Sequence, residues 1–165
     1  MSRIKLILFD RDGVLNRKPP ANEYVLSESE LILFDKVFEK IATLSDTLNY
    51  ACITNQQCVG KGLLSVEELL KINSVIKKKI YESGGKVMPF FVCPHLQEMR
   101  CDCRKPAPGL IFEALEYFNV SREEAIFIGD SKSDQDAAIS AGIEFRKSLT
   151  GDETVRILNE INRSI

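Results

Sequence analysis

The sequence predicts an α/β fold, a mostly parallel sheet with helices on both faces. Three observations carry this: short apolar, β-branched runs recur along the chain, segments with apolar residues at three-to-four spacing separate them, and polar residues follow where the runs stop. At 165 residues the chain fits one domain, expected to span 1–165 and large enough to bury a core.

The first run, Ile4–Phe9, reads as a buried strand that ends at Asp10. Val37, Phe38, Ile41, Leu44 and Leu48 then recur with helical spacing. A second strand is expected over Tyr50–Thr54, followed by a long helix through Leu69, Ile72, Ile76 and Ile80. Ser65 and Glu68 mark the start of that helix, because an N-cap hydroxyl and a carboxylate three residues on satisfy each other's backbone donors. The third strand is expected over Val87–Val92, and Leu110, Ile111, Ala114, Leu115 and Phe118 form the next helical stripe. A second capping box, Ser121 with Glu124, precedes the strand Ala125–Gly129, and a weaker run follows at Ile143–Phe145. The segment from Thr150 to Ile165 reads as a terminal amphipathic helix around Val155, Leu158 and Ile161.

Composition narrows the function classes. The chain carries 22 Lys+Arg against 24 Asp+Glu, a net charge of −2, so it lacks the basic footprint of a nucleic-acid binder. No apolar stretch approaches the roughly 20 residues that span a bilayer, so a cytoplasmic protein with no membrane partner is expected. A partner must be read from a site, and a monomer is the expectation.

That site begins at Asp10 and Asp12, separated by one residue at the carboxyl end of the first strand, where open α/β sheets place ligands. Carboxylates this close repel unless a cation or shared proton compensates, and magnesium is the natural cation. With a phosphate held there, one carboxylate would attack phosphorus while the other exchanges protons with the leaving group and water. An acidic turn that merely ends a strand is the plainer reading of Asp-x-Asp-Gly taken alone. Three later segments occupy matching positions. Thr54-Asn55-Gln56 offers a hydroxyl and backbone N–H groups to phosphate oxygens. Arg104-Lys105-Pro106 offers Lys105 as a point charge and the fork of Arg104 for a second oxyanion. Gly129-Asp130-Ser131-Lys132-Ser133-Asp134 adds Asp130 to a magnesium shell, with Asp134 in support.

In this ordered set, covering residues 4 to about 145, the sequence resembles the haloacid dehalogenase superfamily of phosphohydrolases. The resemblance implies a Rossmann-like, capless fold with an open site. It further implies that Asp10 forms an aspartyl-phosphate, that Asp12 acts as general acid and then base, and that Thr54 and Lys105 stabilise the phosphoryl group. Magnesium would be held by Asp10, the main-chain carbonyl of Asp12, and Asp130.

Of the five cysteines, Cys93, Cys101 and Cys103 lie with the sole histidine, His95, within eleven residues. Three thiolates and an imidazole are the ligand set of a closed, structural zinc site. Such a site would pin the loop that delivers Arg104 and Lys105. A coincidental cluster and a Cys93–Cys101 disulfide are the alternatives. Cys52 reads as core, and Cys58 stays open.

The zinc loop narrows the resemblance to the capless phosphatases of D-glycero-D-manno-heptose 1,7-bisphosphate and of histidinol phosphate, which share Cys-x-His … Cys-x-Cys-Arg-Lys-Pro. In that comparison Asn16, Asn22, Tyr24, Asn55, Gln56, Gln57 and Arg104 are the expected substrate contacts. The chain departs from the pattern in its five-residue gap between His95 and Cys101, in Cys58 where glycine is usual, and in Ser131 where the heptose enzyme has lysine. A phospho-accepting receiver would share acidic strand ends, but would carry its acceptor after the third strand, where this chain has Cys93. A zinc-bearing nucleic-acid module would want a basic face.

Overall fold

The computed structural model describes residues 4–164. Five parallel strands form one sheet in the order β3-β2-β1-β4-β5. They are β1 (Leu6–Phe9), β2 (Asn49–Asn55), β3 (Phe90–Cys93), β4 (Ala125–Gly129) and β5 (Glu144–Lys147). The helices are α1 (Asp35–Ala42), α2 (Gln57–Gly60), α3 (Val66–Glu82), α4 (Gly109–Phe118), α5 (Lys132–Ala141) and α6 (Gly151–Arg163). Met1, Ser2, Arg3 and Ile165, which fall within the expected domain and tail, lie outside the described residues.

Strand β1 shows why its sequence is apolar without alternation. Ile7 and Phe9 enter a core shared with Val37, Ile76 and Leu158 of α1, α3 and α6. Leu6 and Leu8 face the other way, onto Leu110 and Ala114 of α4 and Ala137 and Ala141 of α5. A parallel strand covered on both faces needs apolar side chains at every position. Among the described residues, no helix is long and apolar enough to cross a membrane.

The strand order reverses at β1: the chain moves outward through β2 and β3, then returns to place β4 on the other side of β1. Loops leaving β1 and β4 therefore diverge, and a crevice opens at their carboxyl ends. The long connection from β1 to α1 folds beside this crevice, anchored where Val25 packs with Cys58, Leu64, Leu69 and Ile72. Cys58 is thus core and stands apart from the Cys93, His95, Cys101, Cys103 group. Among the described residues no separate lobe interrupts the path from β1 to α1 or from β2 to β3.

Several boundaries differ from expectation. The third strand starts at Phe90, since Val87 is exposed and Pro89, lacking an N–H, keeps only its carbonyl for Cys52. Helix α1 ends at Ala42, so Leu44 and Leu48 continue its apolar pattern from a loop and still reach the core. Helix α5 carries a capping box, Ser131 with Asp134, that its alanine-rich buried face (Ala137, Ala138, Ala141) did little to advertise.

Candidate active site

Asp10 leaves β1 with its N–H donating to the Ile128 carbonyl of β4 at 3.0 Å, which fixes it beside the end of the neighbouring strand. Asp130 follows β4 directly. Gly13 lets the turn after Asp10 press onto it: its φ is +103°, and a Cβ there would stand 2.7 Å from Asp130 Oδ2. Gly129 plays the same part for Asp134, whose Cβ would lie 2.5 Å from any side chain at that position. Carboxylate oxygens of Asp10, Asp130 and Asp134 consequently lie within 4.8 Å of one another.

Lys105 reaches into this group. Its ammonium lies 2.8 Å from Asp10 Oδ1 and 2.6 Å from Asp134 Oδ1, and it also donates to the Ile53 carbonyl at 3.0 Å. Burial alone would lower the Lys105 pKa, but Asp10 and Asp134 outweigh it and raise the value, so the side chain stays charged. Asp134 is likewise burdened by burial, yet Lys105 holds it below the ordinary carboxylate value, aided by the Ser131 hydroxyl and N–H. Asp10 has no such surplus. Burial and then the Asp134 charge push it up to about 7, with Lys105 compensating only in part.

These donors fit a magnesium ion. Asp130 Oδ1 is buried without a hydrogen-bond partner, Asp10 carries an uncompensated penalty for ionising, and all the nearby ligand atoms are hard oxygens. Asp130 Oδ2 meets Lys18 Nζ at 2.5 Å. The Asp12 carboxylate stands outside the group, receiving Asn16 Nδ2 at 2.9 Å, Gln56 Nε2 at 2.9 Å and the Arg11 fork at 3.0–3.2 Å. Any contribution of Asp12 to a metal would then come from its main chain.

A cavity of about 520 Å³ holds Asp10, Asp12, Thr54, Lys105, Asp130 and Asp134. Asn22, Tyr24, Asn55, Gln56 and Arg104 also line it. Their side chains are not equally free. Asn55 donates Nδ2 to the Lys105 carbonyl and accepts the Lys105 N–H, and Gln56 Nε2 bridges Asp12 and Thr54 Oγ1. Two expected substrate contacts are placed elsewhere. Asn16 is wholly buried behind Asp12, because the turn that brings Asp12 forward folds Asn16 inward. Gln57 sits outside the cavity lining and donates to the Tyr24 hydroxyl. A second cavity, about 540 Å³, adjoins the first through Asn55, Arg104, Lys105 and Ser133 and adds Arg100. Sequence reading missed Arg11, Lys18, Asn73 and Arg100. Lys18, Asn73 and Arg100 belong to no motif, and only the fold brings them near the site; Arg11 stands inside the Asp10-Arg11-Asp12-Gly13 run, but nothing local to that run marks its side chain as buried or names its partner.

The cysteine and histidine side chains also converge. Cys93 Sγ lies 3.6 Å from both Cys101 Sγ and His95 Nδ1, Cys103 Sγ lies 3.4 Å from Cys101 Sγ, and His95 Nδ1 lies 3.2 Å from Cys103 Sγ. Ligand atoms around one tetrahedral zinc are separated by roughly 3.3–3.8 Å. All five cysteines are free, so the disulfide alternative is not realised. Despite burial, hydrogen bonding led by Cys103 lowers the Cys101 pKa to about 7, while burial and its neighbours push Cys103 up to about 12. Three thiols that resist joint ionisation are a group a divalent cation would satisfy. Arg104 Nη1 donates to the His95 carbonyl at 3.4 Å, tying the cluster to the catalytic cavity.

Residues 86–147 match the family model of the haloacid dehalogenase-like hydrolases. A Pseudomonas putida protein named D-glycero-beta-D-manno-heptose-1,7-bisphosphate 7-phosphatase is 33% identical over 142 residues, covering 86% of this chain and 80% of the relative. The chain belongs to the haloacid dehalogenase-like hydrolases. Within that family its similarity is to the heptose bisphosphate phosphatases. The Pseudomonas aeruginosa protein of the same name is 36% identical over 84% of this chain and 76% of its own length. The structure of the D,D-heptose 1,7-bisphosphate phosphatase from Bordetella bronchiseptica, complexed with magnesium and phosphate, superposes with a TM-score of 0.82 at 31% identity, covering 93% of this chain and 87% of that one.

Proposed function

We propose that this chain is a magnesium-dependent phosphomonoesterase that removes the 7-phosphate of D-glycero-D-manno-heptose 1,7-bisphosphate, working as a single-domain monomer in the cytoplasm. The observation that carries the chemistry is Lys105, held between Asp10 and Asp134 opposite Asp130 in one cavity. The named relatives support the substrate, and the free cysteines suit a reducing compartment.

In this reading an Asp10 carboxylate oxygen attacks phosphorus. The bond from phosphorus to the sugar oxygen breaks, and that oxygen takes the proton carried by Asp12. Water then attacks the aspartyl-phosphate, giving its proton to Asp12 and releasing phosphate from Asp10. Lys105 and the Thr54 hydroxyl stabilise charge on the transferring oxygens. Magnesium held by Asp10, the Asp12 carbonyl and Asp130, with Asp134 behind, would supply positive charge to the phosphoryl oxygens. Asn22, Tyr24 and Gln56 border the sugar, while Arg104 meets the phosphate that is not hydrolysed. Asn16 and Gln57 act from behind, through Asp12 and Tyr24. Zinc on Cys93, His95, Cys101 and Cys103 is structural, since four protein ligands leave no open position.

The test is kcat/KM across heptose 1,7-bisphosphates of both anomers, histidinol phosphate, other sugar phosphates and nucleotides. A preference of at least about tenfold for a heptose bisphosphate is expected. A flat profile would remove the substrate assignment but keep the phosphatase, and a preference for histidinol phosphate would reassign it.

A further inference from the structure

We infer that Arg11, braced by Asn73 of α3, is a positioning residue that aims the Asp12 carboxylate at the leaving group. The inference rests on the phosphatase reading. Arg11 is 0% exposed, whereas every other arginine among the described residues keeps some contact with solvent. A guanidinium so buried persists only if its donors are matched. Here they are: Nε and Nη2 grip both oxygens of Asp12, Nη2 also reaches Gln56 Oε1 at 3.1 Å, and Nη1 reaches Asn73 Oδ1 at 3.2 Å.

The pattern of partners separates aiming from scaffolding. An ion pair between consecutive residues closes no loop of chain, so it adds little to the fold. Asp12 and Gln56 both line the catalytic cavity. Asn73 alone belongs to the scaffold, 2% exposed on the inner face of α3. The turn makes this geometry possible: the Arg11 carbonyl accepts the N–H groups of Leu15 and Asn16 at 2.9 and 3.2 Å, which folds the chain back so that both side chains share one side. With Asn16 and Gln56 also donating to it, the Asp12 carboxylate is fixed in orientation. When Asp12 has passed its proton to the departing sugar oxygen, the resulting carboxylate is met by a guanidinium already in place.

The test uses two esters. An alkyl phosphate such as glycerol phosphate needs a proton on its leaving oxygen, whereas p-nitrophenyl phosphate releases a stable phenolate and does not. Because kcat/KM reports the step that breaks the ester, Arg11→Met should lower it by about a hundredfold for the alkyl ester and by less than about threefold for the aryl ester. Asn73→Leu, which removes only the brace, should lower the alkyl value by about tenfold and spare the aryl value. It decides the matter if Arg11→Met fails to fold. An equal fall on both esters, or an unchanged alkyl-to-aryl ratio, would overturn the inference. Wild-type protein inactive on both esters and on a heptose bisphosphate would overturn the phosphatase reading and this inference with it; if only the heptose bisphosphate turns over, the same variants are compared on it, and an Arg11→Met or Asn73→Leu value within about twofold of wild type would overturn the inference alone.

Discussion

Asn55 and Lys105 are joined twice: the Asn55 amide donates to the Lys105 carbonyl at 3.0 Å, and the Lys105 N–H donates to its oxygen at 3.1 Å. The end of β2 therefore holds the backbone of the lysine that faces Asp10. Asn55→Leu should lower kcat by about tenfold with little change in KM, because the charge is kept but loosened. Lys105→Met should do more, leaving two buried carboxylates unmatched, and should cost about 3–5 kcal/mol of stability by urea unfolding.

Asp10 makes stability depend on pH. Its folded value, about 7, lies above its ordinary 3.8, so between these values the folded state binds more protons than the unfolded one. Stability should fall as pH rises through that window, with an upper limit of roughly 4 kcal/mol. Asp134, held below its ordinary value, acts oppositely, and its contribution is lost only as pH falls through its lowered value. In magnesium-free buffer, unfolding curves should show greater stability near pH 5 than near pH 7.5. Asp10→Asn should flatten that difference, and a slope retained in the mutant would assign it to another group.

Arg104 joins the Cys93, His95, Cys101, Cys103 loop to the cavity through the His95 carbonyl, so zinc bound there would couple stability to activity. Cys101→Ser should abolish stoichiometric zinc by elemental analysis, lower Tm by about 5–10 °C and reduce kcat/KM. Full zinc occupancy in the mutant, or none in the wild type, would contradict the assignment.

Arg104→Met tests the second anion. KM for a bisphosphate should rise about tenfold or more, while kcat/KM for a sugar monophosphate stays within about threefold. Equal losses on both substrates would place Arg104 with the reacting phosphate instead.

The sequence showed most plainly what lies at strand ends. Asp10, Thr54 and Asp130 each stand at the end of an apolar run, where local pattern places them, whereas Lys105, well past the end of β3 and just before α4, was legible only from its motif. Cys93, His95, Cys101 and Cys103 were legible because spacing alone brings them together. The Arg11 to Asn73 contact was not, since 62 residues separate them and Asn73 reads as one polar interruption in the stripe of α3. The resemblance made Asn16 an expected substrate contact, but the tight turn over 11–16 buries it behind Asp12. Leu48 looked helical because burial continues past the end of α1, and periodicity reports burial rather than hydrogen bonding.

The most direct test of the central claim is reductive trapping of the intermediate. Enzyme turning over a heptose bisphosphate with magnesium is quenched with borohydride, which converts an aspartyl-phosphate to homoserine, and the peptides are read by mass spectrometry. Homoserine is expected at position 10 and nowhere else, absent without substrate. Turnover that continues while Asp10 stays unmodified, or homoserine at Asp12 or Asp130 instead, would contradict it.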